Sequence, residues 1–221
     1  MNNFYKQPFF LQWLEAVLLL AITAYPVFII LELVQAHTLY ALLFFLYLPV
    51  FQFGSTPILK LTKMYHYYSP MLFGYMPSDV QIDLHSGGGF DYLFVMRKYK
   101  FGIDTRNRLL AYHLEGLLAI IAQIETGILP KTVIVSGTSY FFNERTIQRL
   151  GFEYKIPSLF HRINLLANFL ELTVMYSCAK GMFSIPNVLK ARKASIEGGA
   201  LLEKKEMFSA LYKKLALKSF K

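Results

Sequence analysis

QPFFLQWLEAVLLLAITAYPVFIILELVQAHTLYALLFFLYLPVFQFGSTPILK, residues 7–60, decides the architecture: between Lys6 and Lys60 the only formally charged side chains are Glu15 and Glu32. A bilayer core of roughly 30 Å takes about 20 mostly apolar residues to cross as a helix, and this stretch holds enough for two crossings. The first is expected from about Phe10 to Val34, with Pro26 inside it as a kink point. The second runs from about Thr38 to Phe53, where Pro49 is expected to shorten the regular helix. Gln35, Ala36 and His37 leave room only for a tight hairpin. Glu15 and Glu32 lie near the ends of the first span, as interfacial anchors or as parts of a proton or ion pathway.

Lys6 before the hairpin, Lys60 and Lys63 after it, and a turn without Lys or Arg place both termini on the cytoplasmic side of an integral membrane protein. The apolar run is too long, and the flanks wrong, for a cleaved signal peptide. Residues 65–75, rich in Tyr and Phe and interrupted by Pro70, read as an interfacial collar, so the rest of the chain rests on the membrane. The fold class is therefore a membrane-anchored α+β protein: a transmembrane helical hairpin (1–60), a small mixed α/β cytoplasmic domain with a β-hairpin and helices (61–185), and a basic amphipathic C-terminal helix (186–221).

The net charge of +9 is concentrated in that last segment, where nine Lys or Arg face three Glu. Such a cationic tail suits anionic lipid headgroups; without interleaved stacking aromatics it does not suggest a nucleic-acid partner. Cys178 is the single cysteine, which leaves no disulfide framework and no cysteine-based metal site.

Val80 to Met96 reads as a β-hairpin. Val80, Ile82 and Leu84 alternate with Gln81, Asp83 and His85, Ser86 to Gly89 supplies a turn, and Phe90 to Met96 supplies a second apolar run. In that register His85 lies opposite Phe90 and Asp83 opposite Tyr92. A long helix follows from Thr105 to Thr126 with an apolar stripe through Leu110, Leu114, Leu117, Ile121 and Ile124, ended by Gly127 and Pro130. Then come a strand at Thr132–Ser136, a turn at Gly137-Thr138-Ser139, a helix from Asn143 to Leu150 and a strand from Phe152 to Ile156. Residues 158–182 read as a buried or interfacial helix, because Arg162, Glu171 and Lys180 interrupt any uncharged run of spanning length. The last helix begins at Ile196 or Glu203.

Two places could carry chemistry. In Asp83-Leu84-His85-Ser86-Gly87-Gly88-Gly89, a histidine that titrates near neutrality stands beside a carboxylate on the same strand face, so His85 and Asp83 are the candidate catalytic pair. Gly87, Gly88 and Gly89 could offer bare backbone amides to a ligand anion, although a tight hairpin uses the same residues. Gly137, Thr138 and Ser139, at a strand end before a helix, form a second candidate ligand site or a plain connecting turn. His113 and Glu115 stand two apart and on different helix faces, so His113 reads as a satisfied, partly buried histidine. Zinc spacings, a Walker loop, a dinucleotide fingerprint and a nucleophile elbow are all missing, so no metal or cofactor is assigned.

From the long helix through Thr132-Val133-Ile134-Val135 to Asn143-Glu144-Arg145-Thr146-Ile147-Gln148-Arg149-Leu150-Gly151-Phe152-Glu153, residues 105–156 resemble the second half of a GNAT-type N-acetyltransferase, where a helix, a strand and a helix ending in Leu-Gly-Phe follow in that order. The resemblance implies acyl-group transfer. That family's Arg/Gln-x-x-Gly-x-Gly/Ala motif at the start of its long helix has no counterpart in Arg106-Asn107-Arg108-Leu109-Leu110-Ala111, and no family catalytic residue carries over.

Two functions are compatible with these observations. One is a structural or interaction subunit of a membrane complex, binding membrane lipids and other protein subunits or a second copy of the chain. The other is a membrane-anchored enzyme, an acyl- or group-transferase acting on a lipid or a membrane-proximal substrate.

Overall fold

The computed structural model describes residues 3–139 and 144–219. Two long antiparallel helices come first: α1 (Phe9–Ala36) and α2 (Leu42–Leu61), joined by His37 and a 3-10 turn at Thr38–Ala41. His37 caps that turn, its Nδ1 accepting the Leu39 N–H at 3.3 Å. Both helices are long and apolar enough to cross a bilayer, and little of either is covered by the rest of the chain. They touch through small residues: Gly54 of α2 sits directly against Thr23 of α1, the close backbone approach that helices use where lipid removes the hydrophobic drive to associate. The Tyr47 hydroxyl donates to the Thr23 carbonyl at 3.1 Å across the pair. Helix α2 does not stop near Phe53 as expected. It continues through Pro49 and Pro57 to Leu61, because its last two turns are packed on the folded domain, where Phe53 meets Phe90 with ring centroids 5.3 Å apart.

The domain is built on a six-stranded mixed sheet in the order β1-β2-β3-β4-β6-β5, with β1 (Tyr65–Ser69), β2 (Leu72–Tyr75), β3 (Gln81–Ser86), β4 (Ile134–Ser139), β5 (Glu153–Lys155) and β6 (Arg192–Glu197). Among the described strands only β3 and β4 run parallel. A parallel neighbour needs a crossover, and α4 (Ile103–Glu125) supplies it. Along β3 and β4 the side chains alternate. Ile82, Val133, Val135 and Ile196 enter a core with Ile120, Ile121 and Ile124 of α4, Leu201 of α8 (Gly198–Glu203) and Phe208 of α9 (Lys205–Ser219). Asp83, His85, Ser136 and Thr138 therefore occupy the opposite face, which α6 (Leu159–Ala167) and α7 (Phe169–Lys180) approach.

Several expectations need correction. Val80 to Met96 is not a β-hairpin. β3 pairs with β2, which places His85 opposite Phe73 rather than Phe90, and Asp83 lies beside Ser136 of β4 rather than Tyr92. Phe90 to Met96 instead forms a short helix α3 (Gly89–Asp91) and one π-helical turn (Tyr92–Met96). A short, mostly apolar run serves a strand or a helix equally well, and Phe90 and Phe94 use the four-residue helical spacing to meet with ring centroids 4.7 Å apart and planes tilted by 43°. Residues read as an aromatic collar are β1 and β2. Gly137-Thr138-Ser139 is not a turn, because β4 continues through it while paired to β6 as far as Ser139 opposite Arg192. Residues 186–221 are not simply a helix, and no helix starts at Ile196, which is buried in the penultimate position of β6. The segment 158–182 breaks at Asn168 into α6 and α7. Asn143 lies outside the described residues, and the helix there is α5 (Glu144–Arg149).

Candidate functional site

β3 and β4 pair only as far as Leu84 beside Gly137, although β3 runs on to Ser86 and β4 to Ser139. Each strand stays bound on its other side. His85 and Ser86 pair with Phe73 and Leu72, while Thr138 and Ser139 pair with Lys193 and Arg192. The middle of the sheet thus parts at the carboxyl ends of its two parallel strands, the place where open α/β sheets receive ligands. A cavity of about 380 Å³ lies there, bordered by the sheet, by α6 and α7, and by Gln52 and Thr56 from the end of α2.

Asp83 is the electrostatic centre of this cavity. Its Oδ1 accepts a hydrogen bond from Ser136 Oγ at 2.9 Å and lies 3.7 Å from Lys193 Nζ. Its Oδ2 lies 3.8 Å from Nε2 of both His85 and His161. His85 is stacked on Phe73 at 5.6 Å between centroids. Burial lowers its pKa below the usual 6.5, opposed by Asp83 and assisted by His161 and Lys193, so the imidazole is neutral at physiological pH and able to take up a proton. His161 is oriented from its far side, with Nδ1 2.8 Å from Ser158 Oγ in the first turn of α6. Ser158 also caps that helix, so one residue sets both the start of α6 and the direction of the ring.

Glu171 closes the other end. Its carboxylate accepts the Gly89 backbone N–H, and burial raises its pKa despite that bond. A Cβ on Gly88 or Gly89 would lie 3.0 or 3.1 Å from Glu171 Oε1, so the carboxylate would have to give by a few tenths of an ångström. Behind the loop, Asp91 is fully buried and accepts the Tyr67 hydroxyl at 2.7 Å. Burial and the Asp91 carboxylate hold that phenol protonated, well above its ordinary range. Lys60 at the end of α2 lies 3.3 Å from the Tyr5 ring centroid and 4.7 Å from that of Tyr67. The hairpin and the glycine loop are thereby fastened together. His113 has a partner: its Nε2 is 2.9 Å from Ser86 Oγ, and burial pushes its pKa down to about 4.

Of the residues singled out from sequence, Asp83, His85, Gly88 and Thr138 line the cavity. Gly87 is turned to the neighbouring loop, donating to the Met71 carbonyl at 3.0 Å. Gly89 is engaged by Glu171, Gly137 is paired inside the sheet, and Ser139 is placed by its backbone at the end of β4. His161, Lys193, Ser136 and Glu171 were not found from sequence. They lie 53 to 110 positions from Asp83 along the chain, and none stands in a motif. Among the described residues, no group of three or more His, Cys, Asp or Glu side chains is arranged to hold a metal ion.

Comparison of the chain with protein-family models, with curated proteins and with solved structures finds no match.

Proposed function

We propose that the chain is a membrane-anchored group-transferase that moves an acyl group from a thioester donor to an amine or hydroxyl of a lipid or membrane-proximal acceptor. The observation that carries this reading is the meeting of His85, Asp83 and Thr138 in one cavity where β3 and β4 part. Backbone groups released from the ladder at that point can bind an extended, amide-containing donor. The order α4, β4, α5, with α5 closed by Leu150 and by Gly151 at φ +85°, accords with the acetyltransferase resemblance. The cytoplasmic placement of the domain is part of the same proposal and rests on the positions of Lys6, Lys60 and Lys63.

In this reading His85, neutral at pH 7, takes the proton from the acceptor N–H or O–H as the new bond to the acyl carbon forms. Asp83 stabilises the resulting imidazolium at 3.8 Å. The carbon–sulfur bond breaks, and the proton passes from His85 to the departing thiolate. General-base assistance of this kind is worth roughly 10²- to 10⁴-fold in rate.

The test uses the full chain in lipid nanodiscs, supplied with acyl thioesters of graded chain length and a membrane lipid extract, with release of free thiol as the readout. Acceptor-dependent release that falls at least about a hundredfold in His85→Ala is expected. No release with any donor, or equal release by His85→Ala, would refute the assignment. The second reading, an interaction subunit, draws on exposed apolar residues such as Leu159 and Val174. It requires a stable assembly in mild detergent, and a monomeric, partner-free particle would eliminate it.

A further inference from the structure

The outer face of α6 and α7 is an uncovered apolar stripe. Leu159, Ile163, Leu166, Leu170 and Val174 follow one another at intervals of four, three, four and four residues, which keeps them on one side of a helical path. All five are exposed, Leu159 by 74% and Val174 by 63%. The inner side of the same helices lines the cavity with Leu165, Leu172 and Met175. Glu171, the one acidic residue in the two helices, is turned inward onto Gly89. Arg162 and Lys180 remain exposed beside the stripe.

A continuous apolar face of this kind is a liability in water and marks a contact surface. What covers it is indicated by its surroundings. Helix α7 packs against α2, whose own outer residues, such as Phe45 and Leu46, are exposed and apolar. The stripe therefore sits beside the domain end of a helix that is long and apolar enough to cross a bilayer. Branched aliphatics with basic residues at the margin suit a helix lying in the plane of a membrane interface, and α6 divides into an apolar and a polar side in the way such helices do.

We propose that α6 and α7 lie in the membrane–water interface with this stripe among the acyl chains, so that the cavity opens at headgroup depth. The substrate class follows: an amphiphile that reaches His85 sideways from the bilayer, its apolar part never leaving lipid. This rests on the membrane-anchored reading above and specifies how the site is reached.

The unmodified full chain, in nanodiscs of phosphatidylcholine and phosphatidylglycerol containing a phosphatidylcholine with a diazirine on its acyl chain, is photolysed and its adducts are mapped by peptide mass spectrometry. Adducts on residues 159–174 should match those on α1 and exceed those on β5 roughly tenfold. Labelling of α1 and α2 with only the β5 level on α6 and α7 overturns the inference while leaving the anchor intact. Failure to label α1 overturns the anchor and the inference together. Crosslinks between copies through the stripe, without lipid adducts, assign the face to a second chain and also overturn it.

Discussion

Replacing Gly54 by alanine should loosen the helical hairpin, and the structure sets the size of the effect. A Cβ at position 54 would lie within the Thr23 side chain, 2.7 Å from both its Cβ and its Cγ2. Ordinary contact needs at least 3.4 Å, and Thr23 Oγ1 lies closer still, so the two helices would have to separate locally by more than about 0.7 Å, which is a severe case of overpacking, a class that costs about 1–3 kcal/mol. Thr23 cannot rotate away freely, because its hydroxyl donates to the Leu19 carbonyl at 2.9 Å. Alanine regains about 1 kcal/mol of helix propensity over glycine, and with the overlap at the upper end of the overpacking range this leaves a net loss of about 2 kcal/mol. For a chain of this size each kcal/mol moves the midpoint by about 2–4 °C, so thermal unfolding in detergent should fall by several degrees. The added change Thr23→Ala removes the Oγ1 and Cγ2 contacts but not Cβ, and should restore part of the loss. A Gly54→Ala protein as stable as the parent would show that the close approach of α1 and α2 is wrong.

Three further outcomes follow from the site. Ser136→Ala removes the buried donor to Asp83 and should lower stability by about 1–2 kcal/mol in a denaturant titration; no change would mean that the Asp83 carboxylate does not depend on it. Because a general base must be unprotonated and burial lowers the His85 pKa, transfer activity should be flat above pH 6.5 and decline below it as the imidazole protonates. A midpoint above 6.5 in the pH–rate profile would contradict that placement. His113 has a folded pKa of about 4 against an ordinary 6.5, so the unfolded chain binds more protons between those values. The stability it contributes is complete above pH 6.5 and is lost as pH falls towards 4, which His113→Gln should abolish in a melting series across that window.

The helical hairpin could be read from sequence because a charge-poor apolar run of this length has few other uses, and α4 because its stripe, from Leu110 to Ile124, repeats at helical spacing over about four turns. The alternation that put Asp83 and His85 on one face was equally local, since it depends only on the pleat of a single strand. Their neighbours were not legible. The fate of Phe90–Met96 depends on Phe4, Tyr5 and Phe53, which pack around Phe90 from elsewhere in the chain. The continuation of β4 through Gly137–Ser139 depends on a partner strand more than fifty residues downstream. His161, Lys193 and Ser136 converge on Asp83 only after that sheet has formed, and no spacing within a single segment encodes such convergence.

Occupancy of the gap between the carboxyl ends of β3 and β4 decides whether that gap is a binding site. A ketone analogue of an acyl thioester carrying a photoreactive group, bound to the wild-type chain in nanodiscs and mapped by mass spectrometry, should crosslink to Leu84–Ser86 and Thr138, with competition by unlabelled thioester. Saturable crosslinking confined to other surfaces, or none that the thioester displaces, would contradict the assignment.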